Sequence, residues 1–78
     1  MLKLIKEKIQ GNIGYFAMEI ENQNDKLYHI VFDVSKKYEK CISSDVPDDL
    51  KMYRSQARIA LDRYYGKEIP DKIIRAWY

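Results

Sequence analysis

One cysteine, one histidine, two prolines and three glycines stand among the 78 residues of this chain. A lone cysteine forbids an internal disulfide, and with a single histidine beside it no Cys/His set exists for a structural zinc. The few glycines and prolines exclude a loop-rich or low-complexity chain, so each one present reads as punctuation. No apolar run is long enough to span a bilayer. No signal peptide is expected either, because Leu2–Ile9 carries three lysines and a glutamate. A glycine-rich phosphate loop is missing, and Cys41, His29 and Asp33 lie in no motif that would make a nucleophile, base and orienter of them. No enzymatic activity, metal or cofactor is therefore expected.

What is present is apolar and aromatic. Hydrophobic residues make up 46% of the chain and aromatics 13%, which excludes intrinsic disorder. A chain of this length builds one core, so residues 1–78 read as a single small α+β domain, soluble and cytoplasmic. The formal charge of +2 is uninformative as a total. Residues 1–39 hold six basic and six acidic side chains, whereas residues 40–78 hold eight and six, the surplus lying in Lys51–Arg63. Where the charge sits matters more than its sum.

Alternation dominates the first half. In Tyr15–Glu21, Phe16, Met18 and Ile20 face one way, and Tyr15, Ala17, Glu19 and Glu21 the other, the pattern of a half-buried strand. Leu27–Val34 is a second strand with Tyr28, Ile30, Phe32 and Val34 on one face, and Tyr38–Ser43 a shorter third. Leu2–Ile9 has spacing compatible with a helix or a strand. The turn residues Gly11-Asn12-Ile13-Gly14 after it favour a strand joined to Tyr15–Glu21 as a hairpin. Asn22-Gln23-Asn24-Asp25 reads as the next turn.

Asp45-Val46-Pro47-Asp48-Asp49 is a helix opening, with Asp45 as cap, Pro47 in the first turn and carboxylates at the positive end. This accounts for the acidic cluster without a bound cation. The helix is expected to run from about Val46 to Tyr65 and to stop at Gly66. At about 100° per residue, Leu50, Tyr53, Ala57, Ala60, Leu61 and Tyr64 gather in one apolar stripe. Lys51, Arg54, Arg58 and Tyr65 fall beside it, and Met52 and Ile59 lie away from the core stripe. Asp71–Tyr78, with Ile73, Ile74, Trp77 and Tyr78, is expected to form a short helical segment folded back on the domain.

The expected architecture is α+β: a three- or four-stranded antiparallel β-sheet packed against one long helix, with a short C-terminal helical segment. Surplus aromatics, a helix with two non-core flanks and near-balanced charge suit a module that docks on a larger protein or ribonucleoprotein partner. Small regulators and inhibitors, including anti-defence proteins of phages and mobile elements, have this build. The expected contact residues are Lys51, Met52, Arg54, Arg58, Ile59, Tyr65, Trp77 and Tyr78. The alternative is nucleic-acid binding through the basic, tyrosine-flanked helix face, where arginines grip phosphates and an aromatic stacks on a base. A homodimer burying Met52 and Ile59 is a third arrangement.

Overall fold

The computed structural model describes residues 1–21, 26–35 and 40–76. The elements follow in the order β1 (Leu2–Gln10), β2 (Ile13–Ile20), β3 (Tyr28–Asp33), β4 (Lys40–Ser44), α1 (Lys51–Asp62) and β5 (Lys72–Arg75). All five strands form one antiparallel sheet with spatial order β4-β3-β2-β1-β5. The first four are a meander, each paired with the one before it. The chain then crosses to the opposite edge, where β5 pairs with β1. Four inter-strand spacings come to about 19 Å. A helix of 12 residues is about 18 Å long, so α1 with its connectors supplies the crossing.

Sequence alternation decides which face is covered. Cross-strand register aligns Leu2 with Ile20, Leu4 with Met18, Phe16 with Ile30, and Leu4 again with Ile73. These side chains and Phe32 are buried together with Ala57, Ala60 and Leu61 of α1 in one core cluster. Phe16 and Phe32 meet edge to face, with ring centroids 6.2 Å apart, the geometry in which a ring edge faces another ring's electron-rich plane. Ala57 and Ala60 allow the helix to approach the sheet closely, while Leu50, Tyr53 and Tyr64 pack around the cluster's margin. The apolar stripe read from the helix sequence is thus its packing face.

The hairpin expected at Gly11 is present. Gly11 takes a φ of 60° in the two-residue turn between Gln10 and Ile13, a conformation that needs no Cβ. Leu2–Gln10 is accordingly strand, not helix.

Four expectations about the fold need correction. Among the described residues the sheet has five strands rather than three or four. The helix is shorter than Val46–Tyr65: a 3-10 turn at Asp48–Leu50 leads into Lys51–Asp62. The chain then tightens, with the Tyr64 and Tyr65 N–H groups donating to the Leu61 and Asp62 carbonyls, and turns at Gly66 with φ 75°. Asp45 is not the cap. Pro47 takes that position without a side-chain bond, and the Asp45 carboxylate instead accepts the His29 backbone N–H at 2.7 Å.

The last correction concerns the C-terminal segment, which is strand and not helix over Lys72–Arg75. Ile73 and Ile74 satisfy a helical spacing, but β1 would otherwise present an open row of backbone donors and acceptors, which β5 pairs. Lys6 anchors the approach to β5. Its backbone N–H donates to the Asp71 carbonyl at 2.8 Å, its ammonium to the Ile69 carbonyl at 2.8 Å, and the Asp71 carboxylate lies 3.5 Å away. The expected turn at residues 22–25, Tyr38 at the start of the expected third strand, and Trp77 and Tyr78 lie outside the described residues.

Candidate partner-binding surface

The outer side of α1 carries the residues that sequence periodicity singled out. Met52 and Ile59 are seven positions apart, two turns of helix, so they lie on one strip about 10 Å long. They are 53% and 36% exposed, large apolar side chains that the core does not use. Lys51 is exposed on the neighbouring flank. Arg54 and Arg58 on that flank are half-buried, their stems lying along the helix margin. The Gln56 side is different: the Arg75 guanidinium donates to the Gln56 side-chain oxygen at 3.1 Å, tying α1 to β5. The helix therefore has a tied flank toward β5 and an open basic flank.

Tyr65 does not belong to that strip. The helix ends at Asp62, so the helical angle that places Tyr65 between Arg54 and Arg58 no longer applies. Its exposed ring instead borders a shallow recess of about 470 Å³ shared with Ile9, Val34, Lys67 and Ile69. Trp77 and Tyr78 lie outside the described residues.

Cys41 sits in β4 opposite Phe32, on the covered side of the sheet. Burial pushes its thiol pKa up, and this outweighs the opposing pull of the nearby Arg54 charge and of the Ser43 carbonyl, which accepts its S–H at 3.5 Å. The thiol stays protonated near neutral pH, the less nucleophilic form. Asp48 and Asp49 occupy the first helical turn, where carboxylates complement the helix dipole. Among the described residues no three His, Cys, Asp or Glu side chains gather as a metal site.

A second surface was not picked out by sequence reading. The face of the sheet opposite α1 is covered by no other element among the described residues. Its rows run Ile74–Lys3–Glu19, Lys72–Ile5–Ala17–His29 and Lys8–Tyr15–Val31–Ser43. Lys3 and Glu19 form an ion pair at 3.2 Å, and the Lys8 ammonium lies 4.7 Å from the Tyr15 ring centre. His29 stands between carboxylates, 3.6 Å from Asp45 and 3.9 Å from Glu7. The alternation of Tyr15–Glu21 did foretell an open face, but the rows appear only once strand register is known.

No helix among the described residues is long and apolar enough to cross a membrane. Comparison with protein-family models, curated proteins and solved structures gave no match to this chain.

Proposed function

We propose that this chain is a small, non-enzymatic protein-binding module that docks through the outer side of α1 onto a larger partner, as a regulator or inhibitor. The observation that carries this reading is the exposed Met52/Ile59 strip with cations on one flank. Met52 is 53% and Ile59 36% exposed, so burying what remains open of each in a partner contributes about 0.5–1.5 kcal/mol, and Arg and Met are favoured at such contacts. The matching surface is an apolar hollow bordered by carboxylates, which Lys51, Arg54 and Arg58 engage at the rim. The docking chemistry is the same whether the chain is an inhibitor carried by a phage or mobile element or a regulator of its host.

The test is capture of partners from the native host by the wild-type chain, by Ile59→Asp and by an Arg54→Glu, Arg58→Glu double variant. Loss of a captured protein with Ile59→Asp, together with modest salt dependence, is the expected result. Capture of nucleic acid that weakens steeply with salt and is abolished by the double arginine variant would overturn it. Sedimentation that shows a dimer dissociated by Ile59→Asp would assign the strip to a second copy of the chain instead.

A further inference from the structure

The outer edge of β5 is open, and the hydrogen bonds on its inner side fix which of its groups face outward. The Lys6 N–H donates to the Asp71 carbonyl, so these two residues are a bonded pair. Bonded and non-bonded pairs alternate in an antiparallel ladder, which makes Leu4–Ile73 and Leu2–Arg75 bonded pairs as well. Lys72 and Ile74, opposite Ile5 and Lys3, therefore aim their N–H and C=O groups away from β1. No strand pairs with that side among the described residues. The opposite edge of the sheet, β4, is blunted by a bulge between its pairings with Val31 and Phe32, whereas β5 pairs without interruption.

This edge is complementary to itself. An antiparallel second copy satisfies the outward groups when each Lys72 pairs with the other copy's Ile74. That register puts a two-fold axis at Ile73 and sets Asp71 directly opposite the other copy's Arg75, twice. These are non-bonded pairs, in which side chains approach most closely. Asp71 and Arg75 share the α1 side of the sheet with Ile73, because residues two apart in a strand share a face. The Asp71 carboxylate is 92% exposed, with the Lys6 ammonium 3.5 Å away. The bond from Arg75 Nε to Gln56 uses one of five guanidinium N–H groups and holds the cation on that same side.

On the open face, the Lys72 stem falls against the other copy's Ile74, which is 68% exposed in the single chain. A shift of two residues either way loses the match. With Lys72 on the axis, two lysines face each other and Ile74 meets Pro70, which has no N–H to donate. With Ile74 on the axis, the Arg75 charge is set against the apolar Ile73.

We infer that the β5 edge binds a second copy of this chain, joining two five-stranded sheets into one about a two-fold axis at Ile73. Backbone hydrogen bonds between Lys72 and Ile74 make the contact, and the reciprocal Asp71–Arg75 pairs fix its register. The paired segment is short, so the dimer is of the weak kind that forms at high concentration. Met52 and Ile59 on the outer side of α1 take no part in it, and either surface can hold without the other.

Sedimentation of the full chain at about 1 mM should show a dimer that dissociates on dilution. Amide exchange of Lys72 and Ile74 should slow as concentration rises. Asp71→Arg sets like cations opposite one another across the axis, and Arg75→Asp sets like carboxylates. Each alone should weaken the dimer about tenfold. Mixed in equal amounts, the two variants should form a heterodimer of near wild-type affinity, because each supplies the charge that the other lacks. Such rescue also shows that both variants are folded. Ile59→Asp should leave the dimer unchanged. A monomer at about 1 mM, a dimer indifferent to both charge reversals, no rescue on mixing, or a dimer dissociated by Ile59→Asp would each overturn the proposal.

Discussion

The two faces of the sheet are made from the same strands, residue by residue in alternation, yet they are held by different physics. On the covered face, Leu4, Phe16, Met18, Ile30 and Phe32 meet Ala57, Ala60 and Leu61, and the stabilisation scales with apolar area removed from water. On the open face the interactions come in pairs: Lys3 with Glu19, Lys8 over Tyr15, His29 between Asp45 and Glu7. Exposed pairs of this kind contribute about 0–1 kcal/mol each. Among the described residues, stability is thus concentrated on the side of the sheet that α1 covers. The contrast makes the covered face intolerant of any change in volume and the open face more tolerant, with Ala17, 4% exposed between Ile5 and His29, as the exception.

The largest effect should come from Phe32→Ala. Phe32 is fully buried, opposite Gly14 and Cys41 and in edge contact with Phe16. Removing its ring should cost about 3–5 kcal/mol in urea unfolding. Domains have total stabilities of about 5–15 kcal/mol, so this variant should be largely unfolded at modest urea. Val31→Ala, one residue earlier on the open face, should lose far less. Similar losses at the two positions would mean that the open face is covered after all.

Gly14→Ala comes next, and it fails by addition instead of removal. A Cβ at residue 14 would lie 2.7 Å from a Phe16 ring carbon, 3.0 Å from a Val34 methyl and 3.1 Å from an Ile9 methyl. Phe16 is packed too tightly to withdraw, so the expected loss is about 1–3 kcal/mol. Gly11→Ala, whose Cβ would meet no neighbour, tests only the positive φ and separates crowding from backbone strain.

Much of this division was legible in the sequence, because period-two alternation in Tyr15–Glu21 and Leu27–Val34 and the helical stripe from Leu50 to Tyr64 are local patterns. The covered face and the exposure of Met52 and Ile59 follow from them directly. Asp45 was misread because a carboxylate before Pro47 looks like a cap, whereas its partner, the His29 N–H, is sixteen residues away in sequence. β5 was misread for a similar reason. Lys72-Ile73-Ile74-Arg75 does not alternate between polar and apolar, so only pairing with a strand some seventy residues earlier reveals which isoleucine is inside. Tyr65 shows the reverse error, a periodicity extended past the point where the helix ends.

Cys41 marks where the covered face gives out, at the β4 edge, and its proton reports on that boundary. Its folded-state pKa is raised, chiefly by burial. The folded chain therefore retains the proton at a pH where the unfolded chain has released it. The stabilisation from this difference is complete below the unfolded thiol value of about 8.5 and is lost as pH rises through the higher folded value. Wild type should thus lose stability above about pH 8.5 relative to Cys41→Ala, with parallel curves below it. A Cys41→Ala curve that tracks wild type throughout would place the thiol in free contact with water.

The smallest expected effect is the sharpest test, because it compares adjacent residues of one strand. Ile73 is 6% exposed and lies opposite Leu4, whereas Ile74 is 68% exposed and lies opposite Lys3. Threonine keeps the β-branch and the strand preference, so Ile→Thr changes mainly what each face meets. Ile73→Thr sets a hydroxyl against the core and should cost about 1–3 kcal/mol, the range for a buried polar group that finds no partner. Ile74→Thr should stay within about 0.5 kcal/mol of wild type, as surface substitutions do. A helix over the same segment would turn only about 100° between the two positions, and both substitutions would then be expected to weaken one packed side. Unequal losses measured by urea unfolding therefore establish the alternation of β5 and its pairing with β1.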